Sequence, residues 1–309
     1  MNDVQSPATG AFQTPVTCRL CGSTDQIRKT QFTQLYSQYQ KPYHRVDWWQ
    51  CSTCKGMFAY PVPDIGTIID HWKTINYNRA EDVPELHNAR QRMLGLALAD
   101  LRRRRVCGKI LDIGSNYGYF LQEAAADGWT GFGFDPCDQG VARTRELGFD
   151  TRQGWELLEA GYPDHAFDAV TSFDAFCYVW HPYETLQEIR RILKPGGAVL
   201  MRLTNKRHIA QWTAQRMDPG ERLNMKMTTL LQNQFHSIAI DDLCSVLRRL
   251  GFFRFRIIRR ASTAPWSRMD RRSLIAYFGA ESLYYLSLGR LNVSPGVIVS
   301  AQLNPGESD

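Results

Sequence analysis

Short apolar runs bounded by glycine, proline or charge recur along the chain, and each has the length and composition of a buried strand. They fall at Lys109-Ile-Leu-Asp-Ile113, Gly128–Asp135, Phe167–Asp174 and Ala198–Leu200, with two terminal runs at 253–258 and 296–302, and the polar segment Asp150–Gly154 is expected as a further strand, the third of the series. Helical stretches intervene: Phe120-Leu-Gln-Glu-Ala-Ala-Ala126 follows the first run and Ile189-Arg-Arg-Ile-Leu193 precedes the fifth. Strands alternating with helices predict an α/β fold with a Rossmann-like, doubly wound sheet. Upstream, Leu94, Leu98 and Leu101 recur at spacings of four and three, which predicts a helical linker over 64–105. Its end, Arg102-Arg-Arg-Arg105, reads as a solvated terminus favoured by the helix dipole.

The 309 residues allow about two domains, and 43% hydrophobic with 22% charged residues excludes a disordered or low-complexity chain. The net charge of +6 permits an anionic substrate and argues against a dedicated nucleic-acid binder. No basic segment followed by an apolar one opens the chain, and no apolar run is long enough to span a bilayer, so a cytoplasmic protein without a transmembrane segment is expected.

Four of the eight cysteines form two CxxC knuckles, Cys18-Arg-Leu-Cys21 and Cys51-Ser-Thr-Cys54. Each knuckle lets two thiolates approach one ion, and the glycine that follows tolerates a left-handed backbone. Two knuckles complete a closed tetrahedral S4 site, so residues 1–63 are expected to form a zinc ribbon whose metal is structural. Arg45–Gln50 reads as the hairpin strand leading into the second knuckle, and Pro61-Val-Pro63 ends the module. Residues 106–309 then form the main domain, with 261–294 inserted between its last strands.

The first strand of that domain runs into a glycine turn that carries an acid, Asp112-Ile-Gly114-Ser115-Asn116-Tyr-Gly118, and a helix follows. The spacing is GxxxG rather than the GxGxxG that cradles a dinucleotide pyrophosphate. An acid at that turn can take the ammonium of a methionine moiety, and Asp135, at the next strand end, can accept ribose hydroxyls. Those two features point to S-adenosylmethionine (SAM).

The segment Asp112–Leu121 resembles the first motif of class I SAM-dependent methyltransferases, in the IGSNxGxxL form of bacterial sugar and polysaccharide methyltransferases with an N-terminal zinc-binding domain. Gly133-Phe-Asp135-Pro136, Phe167–Asp174 and the turn Leu193-Lys-Pro-Gly-Gly197 are similar to further motifs of that family. The resemblance implies that Asp112, Gly114, Ser115, Asn116 and Gly118 cradle the methionine part of SAM, and that Asp135 and Pro136 border the ribose. It places Trp155 and Glu156 beside the adenine, and Phe173 and Asp174 under the methyl group. For Trp155 and Phe173, plain core packing is an equal alternative.

The acceptor is expected over the carboxyl ends of the strands. Where family members carry a Glu-His pair, this chain has Cys177-Tyr178, which leaves Tyr178 as a candidate there. Gln234–Leu243 resembles the EHxxxFSxxSL segment, with His236 at the histidine and Phe235 at the glutamate, so His236 is an acid/base or substrate-binding candidate, or else a structural histidine. His181, before Pro182, reads as a turn residue. The segment 261–294, with Arg268, Arg271 and Arg272, reads first as a helix closing the core, and second as an acceptor lid or a peripheral contact with a lipid-linked substrate.

The resemblance implies methylation of a sugar, nucleotide-sugar or glycan acceptor. C-methyltransferases of that group carry a further C-terminal domain, which favours O-methylation here. An RNA methyltransferase, or a non-catalytic module that keeps the fold, are the alternatives.

Overall fold

The computed structural model describes residues 17–25, 27–36, 44–60, 83–203, 234–259, 271–287 and 296–306. Pro61-Val-Pro63, the linker over 64–82, Thr204-Asn205 and Arg268 lie outside the described residues. Two sheets organise the rest.

The larger sheet has seven strands. In chain order they are β4 (Lys109–Ile113), β5 (Thr130–Asp135), β6 (Asp150–Gln153), β7 (Phe167–Phe173), β8 (Leu193–Leu203), β10 (Phe252–Ile258) and β11 (Val297–Leu303). Their spatial order is β10-β11-β8-β7-β4-β5-β6. Pairings β4–β5, β4–β7, β5–β6 and β7–β8 are parallel, whereas β11 runs antiparallel to both β8 and β10. The sheet is mixed and doubly wound, as the alternation of strands and helices predicts. The order reverses between β4 and β7, which opens the crevice where ligands bind in such sheets.

The helices are α1 (Val83–Arg104), α2 (Tyr119–Ala126), α3 (Asp138–Glu146), α4 (Pro182–Ile192), α5 (Ile240–Arg249) and α6 (Arg271–Leu286). Met93, Leu94, Ala97, Leu98 and Leu101 bury one face of α1, where they join Ile110, Phe120, Ala198 and Ile298 in a single apolar cluster. The opposite face of the sheet packs Ile189 and Ile192 of α4 and Leu243, Val246 and Leu247 of α5 over Leu111, Val170, Val199 and Val299.

At the end of α1, Arg102, Arg103 and Arg105 are exposed, as a solvated basic terminus predicts, and Arg104 alone departs from that reading. The Arg104 side chain is only 7% exposed, and its Nε donates to Asp100 Oδ2 at 2.7 Å. Asp100 also accepts from Arg256 at 2.7 Å and from Ser300 Oγ at 2.6 Å, so one buried carboxylate ties α1 to β10 and β11. Two arginines and a hydroxyl offset its desolvation, and removing the acid would strand a buried cation.

The smaller sheet is antiparallel, in the order β1 (Ile27–Tyr36), β2 (His44–Cys51), β3 (Met57–Tyr60), β9 (His236–Ser237). The first three strands belong to the cysteine module. The fourth comes from far along the chain: Phe58 pairs with His236 and Met57 with Ser237. This strand is too short to show any periodicity, and it carries the candidate histidine into the ribbon's sheet.

Helix α6 departs from the reading as a helix that closes the core. Ala280 is buried, while Ile275, Phe278, Leu283, Tyr285 and Leu286 are all exposed. None of the described helices is long and apolar enough to cross a membrane.

Candidate active site

The cysteine module is built by its two knuckles. Cys18, Cys21, Cys51 and Cys54 are all buried, and their Sγ atoms lie within 4.8 Å of one another. The Leu20 amide approaches Cys18 Sγ at 3.4 Å and the Thr53 amide approaches Cys51 Sγ at 3.3 Å, the amide-to-sulfur contacts that stabilise thiolates. Gly22 takes the left-handed turn after the first knuckle with φ +68. After the second it is Lys55, at φ 56, that does so, which differs from the role expected of Gly56. Gly56 is needed for a different reason: a Cβ there would stand 2.4 Å from Leu20 Cδ1. Hydrogen bonds to Cys18 and Cys21, together with burial, push the Cys54 thiol far up, a condition that a dication relieves by replacing protons. Four buried thiols at this spacing fit a tetrahedral metal, and among the described residues no other group of metal-binding side chains is so arranged.

Across the large sheet, the carboxyl ends of β4, β5 and β7 bring together most of the remaining candidates. Gly114, at φ +78, has room only for hydrogen, since a Cβ would stand 2.3 Å from Ala175 Cβ. Asn116 adopts φ 50 and Asp174 φ 62, two non-glycine residues in the left-handed region at one crevice, where such strain marks functional loops. Gly118, at φ +78, precedes α2. Asp135 is buried, its Oδ2 accepting from the Asn116 amide at 2.8 Å and its Oδ1 from the Cys137 amide at 2.9 Å. Pro136 is half-buried beside it.

Asp112 is buried and its Oδ1 accepts from Thr171 Oγ1 at 2.7 Å. Burial, reinforced by the charge of Asp135, pushes its carboxyl up to about 7. Two acids in one crevice favour a ligand that brings positive charge. The hydroxyls of Ser115 and Ser172 are buried without hydrogen-bond partners, each at a cost of about 1–3 kcal/mol that a polar ligand would remove. The strained turn, the glycine cradle, the two acids and the orphaned hydroxyls fit SAM.

The other expected cofactor contacts are more dispersed. Phe173 packs on Phe120 with ring centroids 4.9 Å apart, so its ring is shared with the core. Trp155 is half-buried. Glu156 lies 3.1 Å from His181 Nδ1, which gives the turn histidine a contact that the sequence does not reveal. Asp174 is paired with Arg202 of β8, a site residue that the sequence pattern alone does not single out.

On the acceptor side, His236 borders a cavity of about 10 Å³ lined by Phe176, Cys177, Arg202, Leu203, Gln234 and Ser237. It is 2% exposed, and neither ring nitrogen has a well-formed hydrogen bond, though the Phe176 backbone approaches the ring. Burial, aided by the charge of Arg19, holds its imidazole down at about 3, so the ring is neutral. Phe176 stacks edge-on at 5.0 Å and fixes its plane. Tyr178 is more deeply held than its loop position suggests: burial pushes its phenol well above the usual range, so it offers a hydrogen bond and not a base.

The histidine strand is braced from both sides. The Phe235 amide donates to the Cys177 carbonyl at 3.0 Å, and the Ala59 amide of the ribbon donates to the Phe235 carbonyl at 2.8 Å. The Tyr183 amide donates to the Arg19 carbonyl at 3.0 Å, and Arg19 also bonds the Trp180 carbonyl. The ribbon therefore forms part of the wall that positions His236.

A family model described as a methyltransferase domain matches residues 85–253. The chain belongs to that family. This SAM-dependent methyltransferase is 30% identical over 93 residues to a Mycolicibacterium smegmatis protein described as a probable S-adenosylmethionine-dependent methyltransferase. That match spans 30% of this chain and 36% of the relative, about a third of the relative's length. Among solved structures, the methyltransferase is similar to a chain from the complex of the Haloferax volcanii Trm112 methyltransferase activator with a candidate methyltransferase. The TM-score is 0.51 at 18% identity, over 79% of this chain and 99% of that one. It is also similar to phosphoethanolamine N-methyltransferase 2 of Haemonchus contortus, solved with S-adenosyl-L-methionine. There the TM-score is 0.50 at 15% identity, over 80% of this chain and 62% of that one. At these identities the solved structures show the fold, and the family model shows membership of the methyltransferase domain family.

Proposed function

We propose that this methyltransferase transfers the methyl group of SAM to a hydroxyl of a sugar, nucleotide-sugar or glycan acceptor, with a structural zinc ion held by Cys18, Cys21, Cys51 and Cys54. The reading rests on His236, a neutral, buried imidazole without a well-formed hydrogen bond, beside a cavity of about 10 Å³, room for one water-sized group, that Arg202, Gln234 and Ser237 also line. Bound SAM supplies an electrophilic methyl carbon on a sulfonium. Asp112 and Asp135 hold its two ends, the ammonium and the ribose, while Gly114 lets the turn approach closely.

His236 accepts a hydrogen bond from the acceptor hydroxyl and aims a lone pair of its oxygen along the line of attack. As the new O–C bond forms and the C–S bond breaks, the hydroxyl proton becomes strongly acidic, so even a weakly basic imidazole can take it. The Asp174–Arg202 pair and the Tyr178 phenol surround the acceptor as fixed hydrogen-bonding groups.

The test is a screen of free sugars and nucleotide-sugars for acceptor-dependent release of S-adenosylhomocysteine, with the product's methyl position read by NMR. A methyl ether is expected, and a new C–C bond or a methylated RNA as the sole product would overturn the assignment. With the acceptor found, His236→Ala is expected to lower kcat by about a hundredfold or more, within the range for a positioned acid/base. Affinity for S-adenosylhomocysteine should be unchanged in that variant; full activity would return His236 to a structural role.

Asp112 makes cofactor binding pH-dependent in the same reading. Its folded carboxyl, raised to about 7, binds a proton in the cofactor-free protein below that pH, whereas the ammonium of the ligand requires the anion. S-adenosylhomocysteine affinity should therefore rise as pH increases through about 7, with a proton released on binding below it. By the same linkage, Asp112 stabilises the ligand-free fold most below its unfolded value and loses that contribution as pH rises through about 7. Calorimetry in two buffers of different ionisation heat reads the proton directly, and Asp112→Asn should abolish the release.

A further inference from the structure

The space beside His236 suits one hydroxyl and nothing larger, so in the reading above the body of the acceptor lies elsewhere along the carboxyl edge of the sheet. A groove of about 700 Å³ opens on that edge, between the first cysteine knuckle and the start of α4, the helix that follows β7. Tyr60, Trp180 and Tyr183 line it, three half-buried rings drawn from both modules. Trp180 connects the two spaces, because its ring meets that of Phe235, the residue before His236, at 5.7 Å between centroids.

The walls of the groove are tied to each other. The Tyr183 amide donates to the Arg19 carbonyl at 3.0 Å, and Gly22 lets the Tyr183 ring lie against the knuckle, where a Cβ would stand 2.6 Å from Cε1. Arg19 spans the gap, its guanidinium bonded to the Trp180 carbonyl and 5.5 Å from the centre of the Trp180 ring. On α4, Tyr183, Glu184 and Gln187 stand at i, i+1 and i+4 and share one side of the helix. Glu184 and Gln187 are exposed, and neither side chain bonds another described residue.

This lining selects the chemistry of its occupant. Arg19 can only donate, Glu184 only accepts and Gln187 does both, a mixture that matches hydroxyls, each able to give and to take a hydrogen bond. The three rings offer flat apolar faces to the C–H faces of a sugar ring. Charge is balanced, since Glu184 opposes Arg19 and His181 lies 3.1 Å from Glu156, so the groove does not favour a phosphate chain. A lipid tail would bury the polar groups unpaired.

We infer that this groove binds a neutral sugar unit of the acceptor that is not itself methylated, while the neighbouring unit presents its hydroxyl to His236. The inference rests on the proposed sugar acceptor and narrows it to an oligosaccharide or longer glycan, in preference to a free monosaccharide.

Saturation-transfer NMR on the full chain tests it, with neutral trisaccharides of glucose, galactose, mannose, rhamnose and N-acetylglucosamine as probes beside the same monosaccharides. At least one trisaccharide is expected to bind about tenfold or more tightly than its monosaccharide, with its ring C–H protons saturated from the aromatic side chains. Glu184→Ala/Gln187→Ala should weaken that binding about tenfold or more, while its melting temperature and S-adenosylhomocysteine affinity stay at the wild-type values. For a methylated oligosaccharide, the same variant should raise KM about tenfold and leave kcat unchanged. No trisaccharide binding, or equal binding by variant and wild type, would overturn the inference, as would an RNA oligonucleotide that binds in place of the saccharides and is lost in the variant. Saccharide binding without methyl transfer would keep the groove and remove the reaction, whereas methylation of a sugar with KM untouched by the variant would keep the reaction and remove the groove.

Discussion

Asp135→Ala is expected to weaken S-adenosylhomocysteine binding by at least about a hundredfold. A hydrogen bond to a charged group contributes about 1.5–3 kcal/mol, so two ribose hydroxyls on one carboxylate amount to about 3–6 kcal/mol, or two to four decades in affinity. The carboxylate also holds the site's own backbone, receiving the amides of Asn116 and Cys137 at 2.8 and 2.9 Å. Its removal releases the strained turn at Asn116 as well, so the loss should exceed that of the hydroxyl contacts alone. Asp135→Asn keeps the shape and one acceptor oxygen and should fall between the two. Titration calorimetry reads both variants against a thermal melt. Wild-type affinity in a folded Asp135→Ala protein would remove the ribose assignment.

The parts of this site that lie within one strand–turn–helix unit were legible in the sequence because their chemistry is local. Asp112, Gly114 and Asn116 sit on one turn, and Asp135 ends the neighbouring strand, so spacing alone brings them together. The CxxC knuckles are legible for the same reason. What depends on long-range packing was not. Arg104 looks like any basic residue at a helix end until Asp100 is seen to lie beneath β11, bonded to Ser300. Asp174 finds its partner on β8, and Glu156 meets His181 across two loops. The exposed side of α6 differs from the expected core helix because apolar content marks a helix that needs cover without saying whether its own chain provides it. The two-residue strand at His236 is hardest of all, since so short a segment carries no period and its partner strand lies in another module.

That strand gives the ribbon a consequence for the reaction. Stripping the metal with a chelator, or replacing Cys54 with serine, is expected to cut acceptor turnover by about a hundredfold or more while S-adenosylhomocysteine affinity stays within about threefold. Structural zinc contributes about 10–16 kcal/mol to such modules, more than this small sheet can supply from its own core, so β1 to β3 should unfold without it. Among the described residues of the module Leu20, Trp48, Met57 and Phe58 are fully buried, and Leu20 and Phe58 share one apolar cluster with the four cysteines. When β3 unfolds, His236 loses its pairing with Phe58, and the Phe235 carbonyl loses the Ala59 amide. The histidine then leaves its cavity, whereas Asp112 and Asp135 lie on strands that pair only within the large sheet. Zinc content, proteolysis within residues 17–60 and calorimetry on one sample separate the outcomes. Unchanged turnover in a metal-free protein would uncouple the ribbon from the site, and simultaneous loss of cofactor binding would show that the ribbon supports the whole fold instead of its acceptor wall.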